Sequence, residues 1–331
     1  MDLATTYLGL DLRNPLIASA SPLTGTLDGL RRLEDAGAAA VVLPSLFEEQ
    51  IEAEAFARDR LDDLAAGFAE ANGFFPAGSL PDGGPQHQLD LIARARAALA
   101  IPVIASLNGT TDTGWTNYAR LAEQAGAQAI ELNVYLPAMD PTLDAAAVEQ
   151  RHVDVLAAVK RAVRVPVAMK LGAGFSAPGA MIRRLDAAGA DGLVLFNRFY
   201  QPDIDLVTLR LWRHPALSTK VEIRPGLLWI AALAGTLRAA IAAGSGVEGA
   251  EEVVKYLLVG ADVVMTTSAL LRHGPGHLRS LLEGLARWGE ARDFASLADL
   301  RGRMSRGRGG WPSDDGRGDY IGVLLGYMGD R

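Results

Sequence analysis

Two polar pairs stand at alternate positions within apolar stretches that are typical of buried strands. Ser106 and Asn108 lie in the stretch IPVIASLNG, and Glu131 and Asn133 lie in AQAIELNV. Because side chains alternate along a strand, the members of each pair point to the same face. Buried polar groups of this kind must be paired or functional. These residues are therefore candidates for contact with a ligand.

Lys170 stands near the carboxyl end of a further stretch, VPVAMKLG. An ion pair with Glu131 on the neighbouring strand would satisfy both charges, and for Glu131 we weigh that structural role equally with a functional one. For Lys170 we favour function, because barrel active sites lie at the carboxyl ends of strands. Asn197 ends another strand, where an amide can orient a planar ligand. The five histidines show no metal-ligand spacing, so we expect no metal site.

Two turns rich in small residues follow the last two apolar stretches. Gly244, Ser245 and Gly246 come after RAAIAA, and Thr267 and Ser268 follow ADVVMT and open a short helix. Small residues let the backbone approach an anion closely. In α/β barrels phosphate is commonly bound at these two places by backbone N–H groups. We favour a phosphate site over the alternative that the glycines only make tight turns.

The elements that must position these residues are eight short apolar stretches, each followed by a helical pattern. Continuous apolar strands alternating with helices indicate a parallel sheet covered by helices. Eight such units predict the α/β class and a (β/α)8 TIM barrel. An open doubly wound sheet is disfavoured, because no glycine-rich turn follows the first strand. The predicted strands lie within residues 14–20, 38–44, 101–109, 127–134, 165–172, 190–197, 238–246 and 261–267.

Length and composition predict one domain, residues 1–331, with an insertion after the second strand. The insertion, residues 46–100, holds an acidic helical segment and then a glycine-rich part that is a lid candidate. Residues 300–331 are predicted to form a solvated or subunit-contacting tail.

A net charge of −7 argues against a nucleic-acid partner, and the absence of cysteine excludes thiolate chemistry. Neither a signal peptide nor an apolar run of membrane-spanning length is present, so we expect a cytoplasmic protein without membrane contact.

Several motifs together resemble the dihydroorotate dehydrogenase family, in the same order and over nearly the whole chain. They are NPLIASASPL, ELNVYLP, PVAMKLG, FN, GSGV, EEVVKYLLVGADVV and TTSALLRHGP. The resemblance implies FMN as cofactor, with Lys170 at the N1 and O2 edge of the flavin. A hydride arriving at N5 leaves negative charge at that edge, which a fixed cation stabilises. It further implies contacts of the cofactor with Ala18, Ser19, Ala20, Asn108, Asn133, Gly244, Ser245, Gly246, Thr267 and Ser268.

The loop after the fourth strand departs from the family pattern. Family members carry a Cys or Ser before a Pro there, and that residue removes a substrate proton. Here Leu136 occupies the position, and its side chain has no proton chemistry. Tyr135 is the nearest titratable group, although a phenol is a poor base at neutral pH. We therefore assign candidate catalytic roles to Tyr135, Lys170 and Asn133.

Other departures fall on the substrate side. Pro44 stands where the members that use Cys carry Lys, and the family's NSMGLPN-like loop reads PAGSLPD here. Arg198 follows Asn197 where the family commonly has Ser or Thr, and its planar cation suits a carboxylate or phosphate. A surface arginine is an equal alternative. Asn133, Asn197 and Arg198 are the candidate substrate-binding residues, and an anionic small molecule is the expected substrate.

The leading hypothesis is an FMN-dependent oxidoreductase acting on CH–CH bonds. The resemblance implies oxidation of dihydroorotate to orotate in pyrimidine biosynthesis, but the replaced base favours a different substrate. One alternative is a flavin-binding protein without turnover. Another is a phosphate-binding barrel lyase in which Lys170 forms a Schiff base. The family is often dimeric, whereas the sequence fixes neither the oligomeric state nor the electron acceptor.

Overall fold

The computed structural model describes residues 1–51, 84–109, 113–136, 140–198, 202–212, 216–311, 320–323 and 325–326. In these residues the strands are β1 (Thr5–Tyr7), β2 (Leu10–Leu12), β3 (Leu16–Ala18), β4 (Ala40–Val42), β5 (Leu46–Phe47), β6 (Val103–Gly109), β7 (Ala129–Val134), β8 (Val167–Gly172), β9 (Gly192–Asn197), β10 (Asp203–Asp205), β11 (Arg210–Trp212), β12 (Ala240–Ala243) and β13 (Val263–Thr266).

Eight parallel strands close into a barrel in the order β3, β4, β6, β7, β8, β9, β12 and β13. The ring is completed where β13 pairs with β3, through the register Val264 to Leu16 and Thr266 to Ala18. Each of the eight predicted stretches contains one of these strands. The (β/α)8 barrel predicted from the sequence is therefore confirmed.

Helices cover the outside of the barrel. They are α1 (Leu27–Asp35), α2 (Pro85–Ala98), α3 (Thr113–Gln124), α4 (Ala145–Ala162), α5 (Pro178–Ala187), α6 (Arg224–Leu233), α7 (Ala250–Val259), α8 (Ser268–His273), α9 (His277–Glu290) and α10 (Leu297–Leu300). The start of α1 is fixed by Thr26, whose side chain accepts a hydrogen bond from the N–H of Gly29. Leu30 and Leu33 then face the core on one side of that helix.

Strand residues alternate between two apolar regions. Side chains such as Leu132 pack outward against the helices, whereas Ala129, Ala168 and Val194 pack inside the barrel. The hairpin β1–β2 closes the amino-terminal end of the barrel with Tyr7 and Leu8. Glu131 and Asn133 share the parity of Ala129, so both point inward, as the alternation predicts.

The segment predicted as an insertion contains ordinary barrel structure at both ends. Near its start, β5 pairs with β6. Near its end, α2 packs against α1 and α3 as the helix that precedes β6. The glycine-rich lid candidate at residues 74–84 lies almost wholly outside the described residues, as does most of the acidic segment. Of the predicted tail, residues 312–319 are likewise outside them.

A two-stranded hairpin of β10 and β11 follows β9. Its side chains Ile204, Leu206, Val207, Leu209 and Leu211 are all largely exposed. Within the described residues, no helix is both long enough and apolar enough to cross a lipid bilayer.

Candidate active site

A cavity of about 400 Å³ opens at the carboxyl ends of the barrel strands. That volume lies within the usual range of small-molecule sites. Most of the residues predicted to contact the cofactor or substrate line it: Ser19, Ala20, Lys170, Asn197, Arg198, Gly244, Ser245, Gly246, Thr267 and Ser268. The structure thus brings together residues that are up to about 250 positions apart in the chain. This follows from the fold, because the carboxyl ends of all the barrel strands lie at the same end of the barrel.

Lys170 points from β8 into this cavity and is held by two neighbours. Its Nζ lies 3.2 Å from Glu131 Oε1 and donates to Ser19 Oγ at 3.3 Å. The Glu131 side chain is 1% exposed and that of Lys170 is 14% exposed. The ion pair considered from the sequence is therefore present, and Lys170 also faces the cavity. The ion pair thus leaves Lys170 on the cavity wall, and its functional role stays a prediction.

The turn after β12 has a backbone that only glycine fits at Gly246. This residue has φ of +71°, and a Cβ on it would lie 2.8 Å from Ile223 Cγ2 and 2.9 Å from Thr219 O. Ser245 also has a positive φ, of +70°, and its hydroxyl donates to Phe196 O at 2.8 Å. The buried hydroxyl of Tyr256 donates to the carbonyls of Gly244 and Ser245. Burial raises the pKa of Tyr256, so it stays a neutral donor that fixes this turn.

Ser218 was not predicted from the sequence, yet it connects the two small-residue turns. Its Oγ accepts the N–H of Gly246 at 3.2 Å and donates to Ser268 Oγ at 2.9 Å. Arg272 Nη2 donates to the Ser218 carbonyl at 2.7 Å, which fixes the segment. Ser218 lies between β11 and α6 in a stretch without strand or helix periodicity. Other lining residues that sequence reasoning missed are Val194, Phe196, Ala216, Val247, Met265 and Thr266.

The remaining candidates lie beside the cavity and not on its wall. Asn197 Nδ2 donates to Asn133 Oδ1 at 3.0 Å, so the two strand-end amides form one pair. Asn108 is the register partner of Asn133 on β6, and both are buried. Ala18 is fully buried at the end of β3, and Tyr135 is half-buried directly after β7. Inside the barrel, Ser106 Oγ is 2.7 Å from Ser45 Oγ, which pairs that polar group.

Arg198 lines the cavity, but its guanidinium is already engaged. Its Nε lies 2.8 Å from Glu222 Oε1, and its Nη1 donates to Ala216 O. The positive charge predicted to recognise an anionic substrate is therefore largely compensated by Glu222. A ligand carboxylate would have to compete with that pair.

His152 is a buried histidine on α4. It is 3% exposed, its Nδ1 is 2.8 Å from Val148 O, and its ring lies against Phe175 at 5.2 Å. Burial lowers the pKa of His152 below its ordinary value, so the neutral ring is favoured. His152 therefore packs as an uncharged group.

The fold and this cavity define an α/β-barrel protein with a cavity at the carboxyl ends of its strands, where the active sites of such barrels lie. Residues 2–288 match the dihydroorotate dehydrogenase family, and the chain belongs to that family.

Curated relatives agree over most of their length. The chain is 30% identical over 318 residues to a putative dihydroorotate dehydrogenase A (fumarate) of Aeropyrum pernix, covering 92% of this chain and 98% of the relative. It is 27% identical over 310 residues to the catalytic subunit of dihydroorotate dehydrogenase B (NAD(+)) of Pyrococcus abyssi, covering 91% and 98%. A dihydroorotate dehydrogenase A (fumarate) of Limosilactobacillus reuteri is 26% identical over 286 residues, covering 81% and 87%. The chain is therefore a dihydroorotate dehydrogenase-like oxidoreductase.

Proposed function

We propose that this protein is an FMN-dependent oxidoreductase whose substrate differs from dihydroorotate. The observation that carries the proposal is one cavity with a fixed cation, Lys170, on one wall and a glycine and hydroxyl cluster on another. The first suits the edge of a flavin ring that gains negative charge, and the second suits a phosphate. Membership of the dihydroorotate dehydrogenase family supports the same cofactor.

The residues present fit FMN on local grounds. Ile223 and Thr219 occupy the space that a Cβ on residue 246 would take, so glycine lets this turn pack there while its backbone lines the cavity. Three hydroxyls, those of Ser218, Thr267 and Ser268, lie on the same part of the cavity wall. Hydroxyls and backbone N–H groups of this kind are typical phosphate partners.

Bound FMN would supply a hydride acceptor. The chain itself supplies the electrostatics: Lys170 holds a positive charge at the cavity wall, and Glu131 and Ser19 fix that charge in place. The amide pair of Asn133 and Asn197 offers donors and acceptors that orient a planar substrate beside the cofactor.

The substrate proposal rests on the loop after β7. Leu136 can neither accept nor donate a proton, and Tyr135 beside it is a weak base. Arg198 is paired with Glu222, which further weakens recognition of a carboxylate such as that of dihydroorotate. A substrate that needs no strong base at this position, or that brings its own acidic proton, agrees better with these residues.

Two alternatives remain testable. A flavin-binding protein without turnover would share the same cavity. A Schiff-base lyase requires a neutral, nucleophilic lysine. The Lys170 Nζ is engaged by the buried Glu131 carboxylate and by the Ser19 hydroxyl, which weighs against that chemistry.

The test is the visible absorption spectrum of the purified protein, recorded before and after anaerobic addition of dihydroorotate. We expect a yellow protein that stays yellow with dihydroorotate and bleaches with dithionite. Rapid bleaching by dihydroorotate would overturn the altered-substrate proposal. A colourless protein that also fails to bind added FMN would overturn the cofactor proposal.

A further inference from the structure

Glu131 is a carboxylate buried inside the barrel, below the cavity. It lies on β7, and its side chain is 1% exposed. Its register partners on the neighbouring strands are Ala168 on β8 and Ser106 on β6, and the Ser106 hydroxyl is bonded to that of Ser45 and carries no charge. A buried carboxylate in such surroundings is strongly destabilising unless a positive charge compensates it.

The hydrogen bonding of Glu131 is one-sided. Oε1 pairs with Lys170 Nζ at 3.2 Å, whereas Oε2 has no hydrogen-bond partner within the described residues. Tyr7, which closes the barrel from below, also has an unpartnered hydroxyl in that part of the chain. Burial and then the charge of Glu131 raise the pKa of Tyr7, so the phenol remains neutral there and does not compensate the carboxylate. The charge of the Glu131 carboxylate is thus compensated by Lys170.

The geometry around Lys170 leaves one donor for a ligand. An ammonium carries three N–H groups. Glu131 and Ser19 take two of them among the residues that the structure describes. The two anchors come from β7 and from the loop after β3, so they restrict the ammonium from two sides while the side chain remains on the cavity wall. The remaining N–H is available to the cavity.

We propose that Glu131 is a positioning residue that holds the Lys170 ammonium in place and directed at the ligand cavity. Glu131 itself touches no ligand and acts only through Lys170. Any effect of Glu131 on a bound flavin rests on the proposed function, because only a cofactor that gains negative charge would be stabilised by the cation. The effect of Glu131 on Lys170 itself does not depend on the proposed function.

The test measures how fast acetic anhydride acetylates Lys170, followed by mass spectrometry of the purified protein at pH 8. An amine held in an ion pair with a buried carboxylate reacts slowly, so Glu131→Gln, which breaks the ion pair and keeps the shape, is expected to speed acetylation of Lys170 about tenfold. Lys255, an exposed lysine on α7, is the internal reference and is expected to react equally in both proteins. Tyr7→Phe is the matched control, because it removes a polar group near Glu131 and leaves the ion pair; its Lys170 rate is expected to match that of the wild type.

An unchanged Lys170 rate in a folded Glu131→Gln protein would overturn the proposal. Should that variant not fold, Glu131→Met is the second one, since its side chain has a similar volume without an unpaired polar atom, and Lys170 can be solvated in the cavity that it lines. The same acceleration is expected from it, and an unchanged rate would again overturn the proposal.

Added FMN separates this inference from the proposed function. In the wild type, FMN is expected to slow acetylation of Lys170, and failure to do so would count against the cofactor and not against Glu131. When FMN is bound, Glu131→Gln is expected to shift its midpoint potential to more negative values, because a Lys170 that is no longer held at the cavity wall stabilises the reduced cofactor less. An unchanged potential would show that Glu131 does not act on the flavin through Lys170.

Discussion

The hydroxyl of Ser218 donates to the hydroxyl of Ser268 across 2.9 Å, which connects the segment before α6 to the start of α8. The same oxygen accepts the N–H of Gly246. Three separate parts of the chain therefore meet at the place where we put the phosphate of FMN.

Replacing Ser218 with Ala should weaken FMN binding about tenfold, which corresponds to about 1.4 kcal/mol for one lost network of hydrogen bonds. The dissociation constant is measured by the quenching of flavin fluorescence on titration. Riboflavin, which lacks the phosphate, is the matched control ligand, and its affinity should change less than about twofold. An equal loss for riboflavin and FMN would show that Ser218 shapes the cavity and does not act at the phosphate.

Gly246→Ala should both destabilise the protein and abolish FMN binding. The new Cβ would meet Ile223 and Thr219 at less than 3 Å. Gly309→Ala is the control, because Gly309 has a similar φ of +74° but open space around it. Urea unfolding should show a loss for Gly246→Ala that exceeds the loss for Gly309→Ala by about 1–3 kcal/mol. Equal losses would mean that backbone strain alone sets the requirement for glycine at residue 246.

Leu136→Cys should raise the rate at which dihydroorotate bleaches the bound flavin by about 10²–10⁴-fold, because it restores a group able to remove a proton. The rate is followed by anaerobic stopped-flow absorbance. Leu136→Ala changes the volume without adding a base and should leave the rate at the wild-type level. A gain in both variants would point to steric relief, and a gain in neither would show that more than the base separates this site from dihydroorotate.

Stability should fall as the pH drops below about 6.5, in part because of His152. Burial lowers its folded-state pKa, so between that value and about 6.5 the unfolded chain binds the extra proton. The contribution is complete above about 6.5 and is lost as the pH falls through the folded-state value. One such proton changes the free energy of unfolding by at most about 1.4 kcal/mol per pH unit.

Urea unfolding of the wild type and of His152→Phe between pH 5 and 8 measures this effect. The free energy of unfolding of His152→Phe should depend less steeply on pH than that of the wild type, even if the variant is less stable at every pH. His87 is exposed, so His87→Gln should keep the wild-type slope. Identical slopes for the wild type and His152→Phe would contradict the assignment.

The sequence predicted the barrel because its signal is local and repeated. Each strand, such as Ala129–Val134, is a short apolar run that needs both faces buried, and eight of them in order leave few arrangements. Residues at strand ends, such as Lys170 and Asn197, followed from that arrangement. Ser218 did not, because it lies in an irregular segment and its position depends on Gly246 and Ser268. The engagement of Arg198 with Glu222 was hidden for the same reason, since such a contact leaves no pattern in the sequence.

The pairing of β13 with β3, which closes the barrel, can form only late in the synthesis of the chain. Leu16 is made among the first residues, whereas its register partner Val264 leaves the ribosome on the order of tens of seconds later at typical elongation rates. Gly246 and Ser268, which belong to the candidate phosphate site, also emerge late. A ligand of this cavity can therefore stabilise only a nearly complete chain. Cofactor binding would favour the completed barrel and would not assist folding of the early half of the protein.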